Sequence, residues 1–337
     1  MKPVVSIIIP CRNEEKFISK CLDSLVSQDY LRLRASFAEV ASATKAEQGF
    51  GGQAKENLEI LVVDGMSEDK TREIIKKFQI TNSKFPIRLL DNLKKFTNFA
   101  LNIGVKESKG EIIMIMGAHA GYEKDYVSKC VKYLNEYDAD NVGGVMKTRP
   151  AENTLFARAI ALVLSHPFGA GGSYFRTGSA KPRWVDTVFG GCYKREVFNK
   201  IGLFNENLIR SQDMEFNLRL KRAGGKILLH PEIISYYYSK SNLRDFFLHN
   251  IQDGIWAIYP LKFMKTKFKF RHYIPLIFIL TLPLSIWPYI LASLFFSAKI
   301  AMKEKDFRLF FVMPLAFGAR HFGYGLGSIW GVIKSAK

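Results

Sequence analysis

Residues 4–9 form an apolar run rich in β-branched side chains, and the run stops at Pro10 before the polar cluster Cys11-Arg12-Asn13-Glu14-Glu15. This pattern predicts a strand buried on both faces, closed by a proline and followed by a helix. The helix is expected to begin near Asn13, with acidic residues in its first turn and Phe17, Ile18, Cys21, Leu22 and Leu25 along one face. A second strand is predicted at 58–63, after which Asp64-Gly65-Met66-Ser67-Glu68-Asp69 leads into a helix containing Ile74, Ile75 and Phe78. A third apolar run, 112–116, ends in Gly117-Ala118-His119. Strands alternating with helices, each strand ending in a polar cluster, predict an α/β fold with a mostly parallel central sheet and ligand groups at the strands' carboxyl ends. Asp64 and His119 are then expected to face one crevice.

Further along, Ser211-Gln212-Asp213-Met214-Glu215-Phe216-Asn217-Leu218-Arg219 puts two carboxylates and an arginine on one short amphipathic turn. On a helix, Asp213 and Glu215 diverge by about 200°, so one can face a cleft while the other makes a structural contact. That composition suits a general base, and it equally suits a solvated acidic helix start.

The order Ser6-Ile7-Ile8-Ile9-Pro10-Cys11-Arg12-Asn13-Glu14-Glu15, then Val62-Val63-Asp64-Gly65-Met66-Ser67-Glu68-Asp69-Lys70-Thr71, then Gly117-Ala118-His119, then Gln212-Asp213-Met214-Glu215-Phe216-Asn217 resembles the family 2 glycosyltransferases of GT-A fold. Within them it is most similar to the succinoglycan-type, membrane-associated polysaccharide glycosyltransferases. That subgroup is also matched by Ala139-Asp140-Asn141-Val142-Gly143-Gly144, Pro167-Phe168-Gly169-Ala170-Gly171-Gly172-Ser173, Trp184-Val185-Asp186-Thr187-Val188 and Arg195-Glu196-Val197-Phe198. The resemblance covers residues 3–260 and implies a nucleotide-sugar-binding domain. It assigns donor binding to Pro10, Arg12, Glu14 and Asp64. A carboxylate such as Asp64 can accept an N–H from uracil or guanine, and the resemblance favours a UDP-sugar. It makes Asp213 the base that deprotonates an acceptor hydroxyl, in an inverting displacement at the anomeric carbon. Glu215 and Arg219 are expected to support that turn, with Arg219 pairing Asp213 or Glu215. Gly190-Gly191-Cys192-Tyr193 is expected to lie under the acceptor, and Arg176 and Arg183 are either surface groups or contacts for a diphosphate or acidic acceptor.

The resemblance also implies a divalent metal, Mn2+ or Mg2+, held by an aspartate, a spacer and a second aspartate or histidine. His119 matches the last position, but Gly117 stands where the first aspartate belongs. A hard cation prefers several oxygen ligands. Three readings are open: His119 with diphosphate oxygens and water holds the metal; Asp91, Glu123 or Asp186 substitutes; or catalysis is lost. The last would make the chain a catalytically weak, membrane-associated binding or assembly component. His249 to Trp256 occupies the place of the Gln-x-x-Arg-Trp motif of processive synthases but lacks its Arg-Trp pair, so one sugar per encounter is expected.

The carboxyl-terminal quarter changes character. Residues 273–298 carry no charged side chain, enough at about 1.5 Å rise per residue to span a hydrocarbon core of about 30 Å. Pro275, Pro283 and Pro288 favour kinks or a hairpin there, and the second stretch, 309–333, is broken by Arg320-His321 and several glycines. The net charge of +18 lies largely beside these segments, including Lys262, Lys265, Lys267, Lys269 and Arg271 with Phe263, Phe268 and Phe270 interleaved. Basic and aromatic residues in that position fit anionic headgroups at a cytoplasmic membrane face, and no nucleic-acid module accompanies them. A strand beginning near residue 4 leaves no signal-peptide pattern, so the catalytic part is expected on the cytoplasmic side of the cell membrane. Four cysteines, Cys11, Cys21, Cys130 and Cys192, show no metal spacing. The expected organisation is a catalytic domain over 1–260, with a probable insertion at 31–57, and a basic juxtamembrane segment with membrane-associated helices over 261–337.

Overall fold

The computed structural model describes residues 3–30, 57–81, 86–262 and 270–336. The expected insertion at 31–57 lies outside the described residues save for Asn57, and so do Phe263, Lys265, Lys267, Phe268 and Lys269. In chain order the elements are β1 (Val5–Cys11), α1 (Ile18–Val26), β2 (Leu58–Asp64), α2 (Thr71–Thr81), β3 (Ile87–Asp91), α3 (Thr97–Glu107), β4 (Ile112–Ile115), β5 (Ala120–Tyr122), α4 (Tyr126–Glu136), β6 (Asn141–Pro150) and α5 (Leu155–Ser165). There follow β7 (Arg183–Trp184), β8 (Gly191–Lys194), α6 (Arg195–Ile201), α7 (Gln212–Arg222), β9 (Ile227–Ser239), α8 (Leu243–Ile258), α9 (Ile274–Leu280), α10 (Leu282–Lys303) and α11 (Arg308–Ala336).

The chain divides into two compact units, Met1–Val145 with Ser179–Ser235, and Met146–Gly178 with Tyr236–Lys337. The chain passes between the units three times, inside β6, between Gly178 and Ser179, and inside β9, whereas the sequence suggested one boundary at residue 260. The segments 146–178 and 236–260 belong with the carboxyl-terminal helices because their apolar faces share a core with them: Ala159, Ile160 and Val163 cluster with Phe246, Ile300, Leu309, Met313 and Phe317.

In the first unit the sheet runs in the order β3-β2-β1-β4-β8-β6-β9-β5, with β7 on β9. The four strands β3-β2-β1-β4 are parallel, and β8 then joins β4 antiparallel. The parallel register puts Cys11 opposite Asp64 and Asp64 opposite Asp91, so three strand ends present one row. Pro10 sits in a central strand without losing a bond. The Val4 and Ile8 carbonyls face β4, bonded by Ile112 N–H and Met116 N–H, and Pro10 points the same way, past the Ile8–Ile115 pair that ends the ladder. Burial on both faces explains the near-continuous apolar strands: every residue of β2 is buried, and α1 and α4 pack Ile18, Leu22, Val127 and Leu134 into the same core.

Helix α1 starts at Ile18 rather than near Asn13, and it has no acid in its first turn. Asn13 adopts φ 55°, a left-handed conformation that a helix cannot include, and Glu14 and Glu15 are used in turns. Ile18, Cys21, Leu22 and Leu25 form the buried face as the periodicity predicts.

In the second unit the uncharged stretch 273–298 is two helices. α9 ends at Thr281, whose hydroxyl bonds the Ile277 carbonyl, and α10 restarts with Pro283 in its first turn and runs on to Lys303. Among the described residues α10 is the one helix long and apolar enough to cross a membrane. Its exposed side chains include Leu284, Trp287, Leu291 and Phe295, one helical face of large apolar groups, while its buried residues are Ser293, Ser297, Ile300 and Ala301. Small and polar inside with large and apolar outside is the reverse of a water-facing helix. The glycines that interrupt 309–333 are packing residues on α11. A Cβ on Gly323, Gly327 or Gly331 would stand 2.9, 2.0 or 2.8 Å from the carbonyl oxygens of Phe247, Ile251 or Ile255 on α8. These glycines recur every four residues and let two helix backbones touch.

Candidate active site

At the carboxyl ends of β1 and β2 the two following turns are laced together. Asn13 N–H donates to Ser67 Oγ (2.8 Å), Glu68 N–H to Asn13 Oδ1 (2.9 Å), and Glu14 N–H to Thr71 Oγ1 (2.7 Å). Glu15 N–H donates to Asp69 Oδ2 (3.1 Å) and Lys70 N–H returns to Glu15 Oε2 (3.2 Å). Arg12 and Lys95 both approach Glu68 Oε1, at 3.8 and 4.0 Å, which gathers two cations at this edge.

Asp64 is fully buried. Its Oδ2 accepts from Arg72 Nη1 (2.7 Å) and Ser67 N–H (3.0 Å), and its Oδ1 accepts from Ser67 Oγ. Asp64 is thus an enclosed carboxylate that ties Ser67 and Arg72 to the end of β2. Arg72 continues to Asp91 Oδ1 (2.7 Å), so one guanidinium ties the ends of β2 and β3. Sequence reasoning missed Arg72, because an arginine in the first turn of an amphipathic helix reads as a solvated charge; the signal was two aspartates at the ends of adjacent parallel strands.

His119 follows β4, and its Nδ1 lies 3.2 Å from Glu14 Oε1. Glu14 and His119, separated by 105 positions, therefore meet. The Gly117 carbonyl accepts from Cys21 Sγ (3.5 Å), and its N–H donates to Tyr122 Oη (2.7 Å). A Cβ on Gly117 would find Phe189 Cζ at 3.7 Å and Ala120 Cβ at 3.9 Å, ordinary contact distances, so the backbone there accepts a side chain's first carbon. Among the described residues no three His, Cys, Asp or Glu side chains form a group able to hold a metal. Asp91, Glu123 and Asp186 do not complete a site with His119, and Asp91 is committed to Arg72. A metal at His119 would need ligands beyond the protein side chains, such as diphosphate oxygens and water.

Asp213 is exposed in the first turn of α7, which starts after Ser211 in a left-handed conformation, φ 59°. One turn on, Asn217 is fully buried. Its Oδ1 accepts from Asn141 Nδ2 (3.0 Å) and Tyr193 Oη (3.1 Å), and its Nδ2 donates to Thr187 Oγ1 (3.0 Å). Burial first, and the charge of Asp213 next, push the Tyr193 phenol well above its ordinary range, so it stays protonated and donates to Asn217. On the other face Glu215 is buried and pairs with Arg219 through both oxygens, at 2.6 and 3.0 Å. Arg219 also donates to the Ile201 and Leu203 carbonyls at 2.5 and 2.8 Å. Arg219 therefore pairs with Glu215. The roughly 200° divergence separates a solvent-facing acid from a structural one.

Gly190 and Gly191 take φ 68° and 127° at the start of β8, opposite the end of β4. The Cys192 thiol is packed in the core beside Cys130. All four cysteines are buried and free. Arg183 lies on β7 and donates to Ser179 Oγ at 2.9 Å. His249 to Trp256 is part of α8, with Gly254 against the Tyr324 carbonyl.

Residues 6–202 match the family profile described as "Glycosyl transferase family 2". A Methanococcus voltae protein named dolichyl N-acetyl-α-D-glucosaminyl phosphate 3-β-D-2,3-diacetamido-2,3-dideoxy-β-D-glucuronosyltransferase is 30% identical over 98% of this chain and 97% of its own. Succinoglycan biosynthesis protein ExoA of Rhizobium meliloti is 25% identical over 76% of this chain and 74% of its own. Among solved structures, a mannosyltransferase from Pyrobaculum calidifontis, in complex with GDP-Man and Mn2+, superimposes with a TM-score of 0.62 at 18% identity, covering 96% of this chain and 87% of that one. The shared fold is the GT-A-like α/β arrangement.

Proposed function

The chain belongs to glycosyl transferase family 2, and from that premise we propose that this glycosyltransferase moves one sugar from a nucleotide-linked donor to a lipid-linked or membrane-proximal glycan, with inversion. The observation that carries the proposal is the division of labour on α7. Asn217, Glu215 and Arg219 fix the helix while Asp213 projects from its first turn. Asp213 takes the proton from the acceptor hydroxyl, and the acceptor oxygen attacks the anomeric carbon. The bond to the donor phosphate breaks, and its electron pair leaves with the nucleoside diphosphate. Arg12, Lys95 and the Glu14–His119 pair form the donor edge beside Pro10, with Asp64 acting through Arg72. A UDP-sugar is the favoured donor. The name of the Methanococcus voltae relative describes action on a dolichyl-phosphate-linked sugar. Together with the outward apolar face of α10, this supports an acceptor held at a membrane, and the reading places the catalytic part on the cytoplasmic side on the ground of the basic residues beside the apolar segments.

The test uses detergent-solubilised full chain, a panel of UDP- and GDP-sugars and a membrane lipid extract, with product anomers read by NMR. Transfer from a UDP-sugar with inverted configuration is expected. Retained configuration, or no turnover of any donor that binds, would sink the proposal. A second reading, a catalytically weak binding component, is favoured by Gly117 and the absent metal group among the described residues. Gly117→Asp, whose first side-chain carbon the backbone accepts, is expected to raise the rate with manganese relative to chelator by about tenfold. An unchanged ratio would mean that transfer proceeds without that ligand.

A further inference from the structure

One guanidinium nitrogen of Arg176 stands outside the hydrogen-bond pattern of the described residues. Arg176 lies on the single turn Tyr174–Thr177 of the second unit, with its guanidinium 5.4 Å from the Tyr237 ring centre and 5.6 Å from that of Phe175. The residue as a whole is half-buried, yet its Nη1 is enclosed and has no hydrogen-bond partner among the described residues. A surface arginine does the opposite, covering its stem and leaving its head in water. Arg320 of α11 stands near it. That guanidinium donates to the Asn250 side chain, to Gly169 O at 3.3 Å and to Asp253 Oδ2 at 3.4 Å, and His249 Nε2 lies 3.6 Å from the same carboxylate oxygen. Burial pulls the Arg176 guanidinium below its ordinary value; Tyr237 and Asp253 oppose that and Arg320 adds to it. Asp253 is thus shared by Arg320 and His249, while the Arg176 Nη1 donor stays enclosed without a hydrogen bond among the described residues.

We propose that Arg176 and Arg320 form a binding site for the phosphate that joins lipid to sugar in a lipid-linked acceptor. The proposal rests on the lipid-acceptor reading above and gives its recognition element. Guanidinium forks match the oxygens of a phosphate, and a buried donor without a partner gains most from an anion. Tyr237 and Phe175 supply apolar walls, and the same unit carries the outward apolar face of α10. A prenyl phosphate unites these features.

The test is equilibrium binding of farnesyl phosphate to the full chain in detergent, with farnesol, inorganic phosphate and UDP as comparisons and no donor sugar present. The readout is thus independent of turnover and of Asp213. Farnesyl phosphate is expected to bind at least about tenfold more tightly than farnesol or inorganic phosphate. Arg176→Gln is expected to weaken it about tenfold and to leave UDP affinity within about twofold. Arg176→Met, an apolar replacement for a buried unpaired cation, is expected to melt no lower than the parent while losing the ligand. Arg176→Lys keeps a cation and is expected to give an intermediate loss, which reads the site should the other variants fail to fold. Unchanged farnesyl phosphate binding in a folded variant, or farnesol binding equally well, overturns the site. Parallel loss of UDP assigns it to the donor, and equal competition by inorganic phosphate removes the lipid; either result overturns the proposal.

Discussion

Asp213→Asn is expected to lower the rate of sugar transfer by about 10²–10⁴-fold, the usual worth of a positioned general base. The expectation is specific because other side chains of the helix supply anchorage of their own. Asp213 is exposed, while Asn217 bonds Tyr193 and Thr187 and Glu215 pairs with Arg219. The variant forfeits the interaction of one charge with the helix amino terminus, about 0.3–1 kcal/mol. A melting-temperature loss of more than a few degrees, or a rate within threefold of the parent, argues against this role. Glu215→Gln supplies the contrast from two positions away. It removes one partner of a buried bidentate pair, so it is expected to destabilise by roughly 3 kcal/mol while altering a pH–rate profile much less than Asp213→Asn does.

The second large effect concerns α8 and α11. Gly327→Val is expected to destabilise the second unit by about 3 kcal/mol, because overpacking that meets backbone cannot be relieved by a rotamer change. A Cβ there would lie 2.0 Å from the Ile251 carbonyl oxygen and 2.8 Å from its carbon, so the helices must part. Circular dichroism in detergent is expected to show a melting loss of roughly 10 °C. Gly318→Ala is the control on the same helix. Its Cβ would meet Phe322 Cδ2 at 4.0 Å, so the variant should gain about 0.5–1 kcal/mol of helix propensity. If both substitutions are equally tolerated, the close approach of the two helices is wrong.

What the sequence made legible was local and periodic. The runs ending at Pro10, Asp64 and Gly117 read as buried strands because both faces of a parallel sheet demand apolar residues, and the structure places each where the run predicts. The face of α1 was equally plain, whereas its start was not, since Asn13 takes a left-handed conformation fixed by Ser67 from a distant turn. Arg72 and Arg176 looked like surface charges because their environments come from other parts of the chain. The glycines of α11 looked like breaks for the same reason: their partner, α8, begins about eighty positions before them. The unit boundary was hidden because 146–178 reads as ordinary catalytic-domain sequence until Ala159 and Val163 are seen beside Leu309 and Phe317.

The lacing of the turns after β1 and β2 bears on the thermodynamics of donor capture. The amides of Asn13, Glu14, Glu15, Glu68 and Lys70 are all bonded across the two turns. Folding has then already removed the freedom that a mobile loop would surrender to a ligand. On the proposed donor edge, a nucleotide arriving at Arg12 and Glu14 meets a preorganised rim, so its association carries little loop-ordering entropy.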